Sequence, residues 1–277
     1  MNCGTGWDMW DPGQYLRHRN IQTRYILDLL AQVSAVRPRH IVDLGCGPGN
    51  ATELLARRWP GAHVLGLDNS PAMLEAARKL ARPRRLLRRG SLEFRHGDIR
   101  DWTPGDLVDV LLASAVLQWI PSHRKLLRRF AGFLAPGGFL AYQMPVEFGQ
   151  ADRILFGLCT EDRWHGKLAD VPGLRPVDTP AEYLITMTGA GLRADTWETT
   201  YTTVITDCTG DRDGIVEYLK STSLRPVLQR LSQAETTQFL AEFAARIRDA
   251  YSPAPLAGQM VRIVSARRTF GIGRKPP

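Results

Sequence analysis

Cysteine is scarce in this sequence of 277 residues, which contains only four. They lie far apart at positions 3, 46, 159 and 208, form no C-x-x-C pair and have no histidine-rich companion spacing. This spacing argues against both a disulfide framework and a zinc site. We therefore expect reduced thiols and no bound metal.

Long apolar runs are also absent. No stretch approaches the roughly 20 residues needed to cross a bilayer, and the first residues lack the basic, apolar and small-residue segments of a secretory signal. The hydrophobic content of 44% is ample for a buried core. We expect a soluble, cytoplasmic protein with no membrane partner.

Lysine is rare, so arginine carries almost all of the net charge of +8. Nucleic acid, an anionic membrane surface or an acidic small molecule would each suit that charge. The densest basic run, 82–89, has five arginines but no aromatic residues that could stack on bases. This composition favours a solvated connection and a small acidic partner, with no nucleic acid expected.

The glycine-rich stretch HIVDLGCGPGN at 40–50 lacks two strict phosphate-binding motifs. Gly45, Gly47 and Gly49 follow a G-x-G-x-G spacing, whereas the dinucleotide fingerprint requires G-x-G-x-x-G, and no G-K-[ST] is present for a P-loop. Asp43, two residues before the first glycine, would repel a pyrophosphate and attract a cation. S-Adenosylmethionine fits such a loop because it carries an ammonium, a sulfonium and an adenosine but no phosphate.

Apolar periodicity predicts strands that alternate with helices through the first half of the chain. Such alternation predicts an α/β fold with a Rossmann-like, mostly parallel sheet of seven strands, helices on both faces and a helical cap over the carboxyl ends of the strands. The predicted strands are 40–44, 63–67, 92–96, 107–113, 139–144, 193–205 and 259–272. The predicted helices are 21–36, 50–59, 70–81, 122–134, 179–190 and two or three within 211–250, with irregular helical stretches at 150–178.

The carboxyl ends of parallel strands meet at one edge of a sheet, where ligands bind. This topology brings Asp43, Asp68, Asp98, Ser114 and Gln143 to that edge. Asp68 is placed to accept hydrogen bonds from ribose hydroxyls, and Asp98 from an adenine amine. A single aspartate at a strand end commonly caps a helix or turn, but three in consecutive units beside a glycine loop favour cofactor binding.

The motifs VDLGCGPGN, GLDNSPAML and GDIRDW resemble those of class I S-adenosylmethionine-dependent methyltransferases, over roughly 41–144. Shorter motifs, among them AVLQW at 115–119, QMP at 143–145 and LRPVL at 224–228, are similar to the trans-aconitate 2-methyltransferase family. That family esterifies a carboxylate of a small polycarboxylic acid. The resemblance covers nearly the whole chain.

The resemblance implies S-adenosylmethionine as the cofactor and a small acidic acceptor. It also implies helices in 1–38 that close over the cofactor, a cofactor-binding core at 39–146, acceptor-binding cap helices at 147–178 and 206–256, and completion of the sheet by 179–205 and 257–277. The implied cofactor residues are Tyr15, Asp43, Gly45, Cys46, Gly47, Asp68, Asn69, Ser70, Asp98, Ile99, Ser114 and Ala115. The implied acceptor residues are Gln118, Trp119, Tyr201, Arg225 and Arg267.

A carboxylate acceptor requires no general base, because its pKa of about 4 leaves it ionised at neutral pH. It requires alignment with the methyl group and arginines that neutralise the remaining carboxylates. If the acceptor were a phenol, alcohol or amine of a secondary metabolite, His123 would be the candidate base; the other interpretation is a surface histidine in the first helical turn. A nucleic-acid methyltransferase and a non-catalytic cofactor-binding module are further alternatives. The last strand reads VSARRTF at 264–270, without the apolar-Pro-Arg pattern of the family, which leaves the identity of the acid open.

Overall fold

A computed structural model describes residue 13 and residues 19–81, 90–147, 149–171, 177–206 and 213–277. The predicted cofactor residue Tyr15 and the basic run 82–89 lie outside these ranges. Within the described ranges, no helix is both long and apolar enough to span a membrane, and no group of three or more His, Cys, Asp or Glu side chains could hold a metal ion. The chain divides into a first unit, Met1–Met144, Val177–Glu198 and Thr269–Pro277, and a second unit, Pro145–Pro176 and Thr199–Arg268.

The strands form one sheet in the order β3-β2-β1-β4-β5-β8-β6, with the short strand β7 paired to β8. β1 pairs in parallel with β2 and β4, and the pairs β2–β3 and β4–β5 are also parallel. The predicted mostly parallel α/β sheet is confirmed, and β7 adds a strand that the sequence pattern did not indicate. The strands are β1 (His40–Leu44), β2 (His63–Asp68), β3 (Ser91–His96), β4 (Val108–Ser114), β5 (Leu134–Glu147), β6 (Arg193–Ile205), β7 (Ala254–Leu256) and β8 (Gln259–Arg274).

Helices connect the strands at nearly all the predicted places. They are α1 (Arg19–Ala31), α2 (Asn50–Arg58), α3 (Pro71–Arg78), α4 (His123–Phe133), α5 (Gln150–Cys159), α6 (Asp162–Leu168), α7 (Pro180–Thr188), α8 (Gly214–Lys220), α9 (Arg225–Leu228) and α10 (Gln233–Ala250), with a 3₁₀ turn at Leu117–Trp119.

Local chemistry sets several of the helix ends. α3 begins where the helix 70–81 was predicted to begin, with Ser70 as N-cap and Pro71 as its first residue. α1 ends at Ala31, before the predicted position 36. The guanidinium of Arg58 donates to the carbonyl oxygens of Leu30 and Val33 at 2.7 and 2.9 Å and so satisfies acceptors that the end of the helix leaves open.

The strand order places a topological switch point between β1 and β4. From β1 the chain moves outward to β2 and β3, then returns to the other side of β1 as β4. Ligands of doubly wound sheets bind at such a point, outside the carboxyl ends of the strands. The loop 45–49 that follows β1 and the turn that begins at residue 115 after β4 are therefore the segments to consider first.

Buried aliphatic and aromatic side chains form the core of the first unit. Leu111, Leu112 and Ala113 of β4 are fully buried, as expected of a central strand that is covered on both faces. Phe130 of α4 and Tyr142 of β5 belong to one hydrophobic cluster with Leu111 and Ala113. This core holds β1 and β4 side by side at the switch point.

The second unit has its own small core and a buried ion pair. The rings of Trp164 and Phe239 meet edge to face with centroids 5.2 Å apart. Arg262 of β8 pairs with Asp213, and Asp213 also accepts a hydrogen bond from the amide of Ile215 at 3.0 Å and so caps α8. Because both charged side chains are buried and paired, the loss of either would leave a costly lone charge.

Candidate functional site

The glycine loop after β1 is hydrogen-bonded to β2, and one of its glycines, Gly47, has free space beside its Cα. The amides of Gly45 and Cys46 donate to the carbonyl oxygen of Leu67 at 2.8 and 3.0 Å. Gly45 and Gly47 have positive φ angles of 67° and 54°, which residues with a Cβ disfavour. A Cβ on Gly45 would lie 2.4 Å from Cγ2 of Val116, whereas a Cβ on Gly47 would have no described atom within 4 Å. The backbone at Gly47 is therefore the part of the loop that a ligand can approach.

The ring of Phe94 on β3 occupies the space beside two glycines. A Cβ on Gly49, at the end of the loop, would lie 2.9 Å from Cζ of this ring, and a Cβ on Gly66 of β2 would lie 2.6 Å from Cδ1. Close-packed interiors do not accommodate contacts this short without displacement. One ring therefore fixes how closely the loop and β2 approach β3.

The thiol of Cys46 is buried inside the loop. Burial, and then the negative charges of Asp43 and Asp68, raise the pKa of this thiol well above its ordinary value. The thiol is therefore protonated at neutral pH, and the thiolate is the nucleophilic form of cysteine. Cys46 is suited to packing in the loop and not to nucleophilic catalysis.

Asp43 lies in β1 with 1% of its surface exposed. Its Oδ2 accepts a hydrogen bond from the hydroxyl of Thr52 at 2.7 Å, while its Oδ1 is buried without a hydrogen-bond partner in the described part of the chain. Burial raises the pKa of Asp43 to about 7, although the Thr52 hydrogen bond lowers it. An unsatisfied buried acceptor costs free energy. Asp43 therefore fits a ligand that brings a hydrogen-bond donor or a positive charge.

Sequence reasoning missed Thr52, which is fully buried on α2. A threonine within a helix carries no sequence signal for a role in a site, and only the folded chain shows its hydroxyl against the carboxylate of Asp43. This contact holds one of the two carboxylate oxygens in a fixed direction.

Asp68 ends β2 and joins the glycine loop to the start of α3. Its Oδ2 accepts from the amide of Gly47, and its Oδ1 from the amide of Ser70, both at 2.8 Å. Burial raises the pKa of Asp68, against the effect of hydrogen bonds from the amides of Ser70, Gly47 and Asn69. The carboxylate is thus held in place by the backbone on both sides, and each oxygen keeps a further lone pair for a ligand.

Asp98 follows β3 and forms an ion pair with a neighbouring arginine. Nε of Arg100 lies 3.0 Å from both carboxylate oxygens of Asp98, and a second guanidinium nitrogen lies 2.5 Å from Oδ2. The Arg100 hydrogen bond lowers the pKa of Asp98, so the carboxylate is ionised at neutral pH. Ile99 beside it is buried. A ligand amine at Asp98 would share the carboxylate with Arg100.

The end of β4 has a backbone conformation that is uncommon for a residue with a side chain. Ala115 has a φ of 55°, and its amide donates to the carbonyl oxygen of Gln143 at 2.9 Å. Nε2 of Gln118 donates to the carbonyl oxygen of Ala115 at 2.9 Å, and Nε2 of Gln143 donates to Oγ of Ser114 at 2.8 Å. Strained residues of this kind cluster at functional sites, and this one lies at the switch point.

His123 lies in the core, so the expectation of a surface histidine is wrong. It is 8% exposed, its Nδ1 is 2.8 Å from the carbonyl oxygen of Ile120, and its Nε2 is 2.7 Å from the hydroxyl of Tyr183. The carboxylate of Asp178 lies 3.8 Å from the same Nε2. Because both ring nitrogens are engaged within the fold, the geometry disfavours the alternative role of His123 as a general base.

Replacement of His123 by phenylalanine is expected to lower the free energy of unfolding by about 1–3 kcal/mol, because the hydroxyl of Tyr183 loses the imidazole and keeps only the amide of Asp178 as a described partner. Tyr183→Phe removes the same hydrogen bond and should cost a similar amount. Urea denaturation measures both losses, and kcat of the folded variants should stay near the wild-type value. A fall in kcat in His123→Phe alone, with a changed pH profile, would instead identify a base.

The predicted acceptor residues of the first unit lie on the 3₁₀ turn after β4. Gln118 and Trp119 are both half-buried. Oε1 of Gln118 is buried and has no hydrogen-bond partner among the described residues. The side-chain oxygen of Gln118 is therefore an acceptor to which no described residue donates a hydrogen bond.

The other predicted acceptor residues belong to the second unit. Tyr201 is buried on β6, Arg225 is half-buried at the start of α9, and Arg267 is exposed on β8. Exposure alternates along this part of β8, so Arg268, which sequence reasoning did not select, is buried with 3% of its surface exposed. The two adjacent arginines thus point to opposite faces of the strand.

Comparisons with known proteins agree with this geometry. Residues 41–138 match a family model described as a methyltransferase domain. The chain is 42% identical over 272 residues to the trans-aconitate 2-methyltransferase of Streptomyces avermitilis, covering 96% of this chain and 97% of that protein. It is 44% identical over 275 residues to the trans-aconitate 2-methyltransferase of Streptomyces coelicolor, covering 96% of this chain and 87% of that protein.

The fold also recurs among solved structures. Phosphoethanolamine N-methyltransferase 2 of Haemonchus contortus, determined with phosphomonomethylethanolamine and S-adenosylhomocysteine, has a TM-score of 0.54 and 15% identity, and the match covers 97% of this chain and 59% of that one. This likeness shows the fold alone, whereas the identity to the two Streptomyces proteins extends through both units. The chain therefore belongs to the trans-aconitate 2-methyltransferase family and is a methyltransferase that uses S-adenosylmethionine.

Proposed function

We propose that this enzyme methylates a carboxylate of a small polycarboxylic acid of the trans-aconitate type. The observation that carries the proposal is the identity of more than 40% to two proteins with this named activity, across both units of the chain. The engaged state of His123 supports it, since an acceptor that is already ionised makes a base unnecessary.

The acidic residues at the carboxyl ends of the strands are proposed to hold the cofactor. The orphaned Oδ1 of Asp43 would accept from the methionine ammonium, and the open backbone at Gly47 would let that end of the cofactor approach. Asp68 would accept the two ribose hydroxyls with its remaining lone pairs, and Asp98 the adenine amine. The proposed remaining contacts are Tyr15, Gly45, Cys46, Asn69, Ser70, Ile99, Ser114 and Ala115.

The bound cofactor supplies an electrophilic methyl group on a sulfonium. Transfer to a carboxylate oxygen of the acceptor would form the carbon–oxygen bond as the carbon–sulfur bond breaks, so the residues of this chain would have no proton to accept or donate. Arg225 and Arg267 are proposed to pair with the other carboxylates, because a guanidinium fork binds a carboxylate bidentately. Gln118, Trp119 and Tyr201 would orient the carbon skeleton. The task of the protein is alignment and charge neutralisation.

Mass spectrometry of reaction products tests the proposal directly. Purified enzyme with a methyl-labelled cofactor is offered polycarboxylic acids, including trans-aconitate, next to a phenol, an amine and tRNA. We expect label only in carboxylate esters. Methylation confined to the phenol, the amine or tRNA would refute the proposal. Cofactor binding without any product would favour a non-catalytic module.

Replacement of Arg225 by alanine is expected to raise KM for the acid at least about tenfold, because one charge-assisted contact is worth about 1.5–3 kcal/mol. The dissociation constant of the cofactor should change less than twofold, because the proposal places Arg225 at the acid and not at the cofactor. Steady-state kinetics and calorimetry measure the two quantities.

A matched control for this variant is Arg230→Ala, which removes an exposed arginine of the second unit that pairs with Asp170. The control should leave KM near the wild-type value. An equal loss of acid and cofactor affinity in Arg225→Ala would remove Arg225 from the acceptor site.

A further inference from the structure

A cleft at the amino ends of β1 and β2 lies away from the proposed cofactor residues. It has a volume of about 880 Å³, and its walls are the short segments 36–40 and 58–63 that lead into these two strands. Because β1 and β2 run parallel, the cleft and the glycine loop lie at opposite ends of the same strands, separated by about 13 Å of strand β1. The cleft is therefore a separate feature of the first unit.

The described residues that line this cleft carry charge of one sign. No aspartate or glutamate is among them. A cleft lined by charges of one sign attracts ions of the opposite sign. Five of its eleven described lining residues are arginine or histidine: Arg37, Arg39, His40, Arg58 and His63.

Two of these arginines are available to a ligand. The guanidinium of Arg58 is committed to the carbonyl oxygens at the end of α1. The guanidinium groups of Arg37 and Arg39 are exposed and have no partner among the described residues. The nearby carboxylate of Asp109 accepts from the backbone amides of Arg39 and His40 at 2.7 and 2.9 Å. That carboxylate is thus held by backbone donors at the start of β1.

The walls of the cleft are fixed by the fold. The amide of His63 donates to the carbonyl oxygen of Arg39 at 2.7 Å and ties the two segments together. The indole N–H of Trp59 donates to the carbonyl oxygen of Ala35 at 3.1 Å. The rings of His40 and His63 lie 5.9 Å apart. Walls that are already ordered lower the entropic cost of binding a ligand.

We propose that this cleft binds a small anion with at least two negatively charged oxygens, of the phosphate or carboxylate class, through Arg37 and Arg39. Guanidinium groups bind both kinds of oxygen with paired, charge-assisted hydrogen bonds. The imidazole ring of His40 supplies a further donor, whereas Nδ1 of His63 is engaged with the hydroxyl of Ser91 at 2.9 Å. This binding is separate from the methyl-transfer reaction and does not depend on the identity of its acceptor.

Histidine-ring NMR on the full-length protein tests the proposal, because the chain has only six histidines. Sodium pyrophosphate and tricarballylate are titrated separately, so that the two arms distinguish a phosphate from a carboxylate ligand. We expect saturable shifts of the His40 and His63 signals with one or both anions. In the pyrophosphate arm, the buried His123 signal should not move and serves as an internal reference.

The double variant Arg37→Gln, Arg39→Gln is expected to weaken this binding at least about tenfold, while cofactor affinity stays at the wild-type value and shows that the variant is folded. The pair Lys125→Gln, Arg128→Gln removes the same charge from exposed positions on α4 and should change anion binding less than about twofold. No saturable shift with either anion, or equal weakening by the two double variants, would overturn the proposal.

Discussion

Replacement of Asp68 by alanine is expected to weaken S-adenosylmethionine binding about 100-fold or more while the chain remains folded. Each ribose hydroxyl that donates to a carboxylate is worth about 1.5–3 kcal/mol, and every 1.4 kcal/mol is about tenfold in affinity. The variant also frees the amides of Gly47 and Ser70, which Asp68 now holds at 2.8 Å. Calorimetric titration gives the dissociation constant, and circular dichroism reports the fold.

Asp109 offers a matched control at the other end of the sheet. Its Oδ2 also accepts two backbone amides, those of Arg39 and His40, so Asp109→Ala removes the same kind of support. We expect Asp109→Ala to cost about 1–3 kcal/mol of stability and to leave cofactor affinity unchanged. If Asp68→Ala binds the cofactor normally, or if both variants lose affinity equally, Asp68 does not hold the ribose.

The affinity for S-adenosylmethionine is expected to fall as pH is lowered below about 7. Burial holds the pKa of Asp43 near this value in the free protein, and the proposed partner of its Oδ1 is an ammonium, which favours the ionised carboxylate. Below the pKa, binding must first remove a proton, so affinity falls towards tenfold per pH unit; above it, affinity is constant. The contribution of Asp43 to the free energy of unfolding follows a different course: it is greatest below the ordinary pKa of 3.8 and declines as pH rises to about 7.

Thr52 provides the variant that tests which group titrates. Its hydrogen bond lowers the pKa of Asp43, so Thr52→Val, which keeps the shape and removes the hydroxyl, should move the midpoint of the affinity profile to higher pH. Thr52→Ser keeps the hydroxyl and should restore the wild-type midpoint. Calorimetry from pH 5.5 to 8.5 measures all three profiles. Identical midpoints in the three proteins would exclude Asp43 as the titrating group.

The sequence predicted the part of the molecule that depends on periodicity and strand order. Alternating strands and helices predict a parallel sheet, and a parallel sheet brings Asp43, Asp68 and Asp98 to one edge whatever their roles are. The start of α3 could equally be predicted, because it depends on two adjacent residues, Ser70 as N-cap and Pro71 after it. These predictions required only local chemistry and topology.

Other features depended on contacts between distant parts of the chain. His123 lies in a segment whose sequence is typical of a helix start. Only the packing of α7 against α4 brings the hydroxyl of Tyr183 to its imidazole ring. Arg267 and Arg268 are alike in sequence, and the register of β8 decides which of them is buried. Thr52 gains its importance from Asp43, nine residues earlier and on another element. Such pairings have no signature in a single sequence.

The ring of Phe94 restricts which residue types can stand at positions 49 and 66, and those glycines in turn favour a large residue at 94. Alanine at position 49 or 66 would collide with that ring, and a smaller residue at 94 would leave a cavity in a close-packed layer. Each change alone is thus unfavourable, although a smaller residue at 94 with alanine at 66 would refill the same volume. Family members are therefore expected to vary jointly at positions 66 and 94, and Gly66 lies outside the glycine motif by which such loops are usually identified.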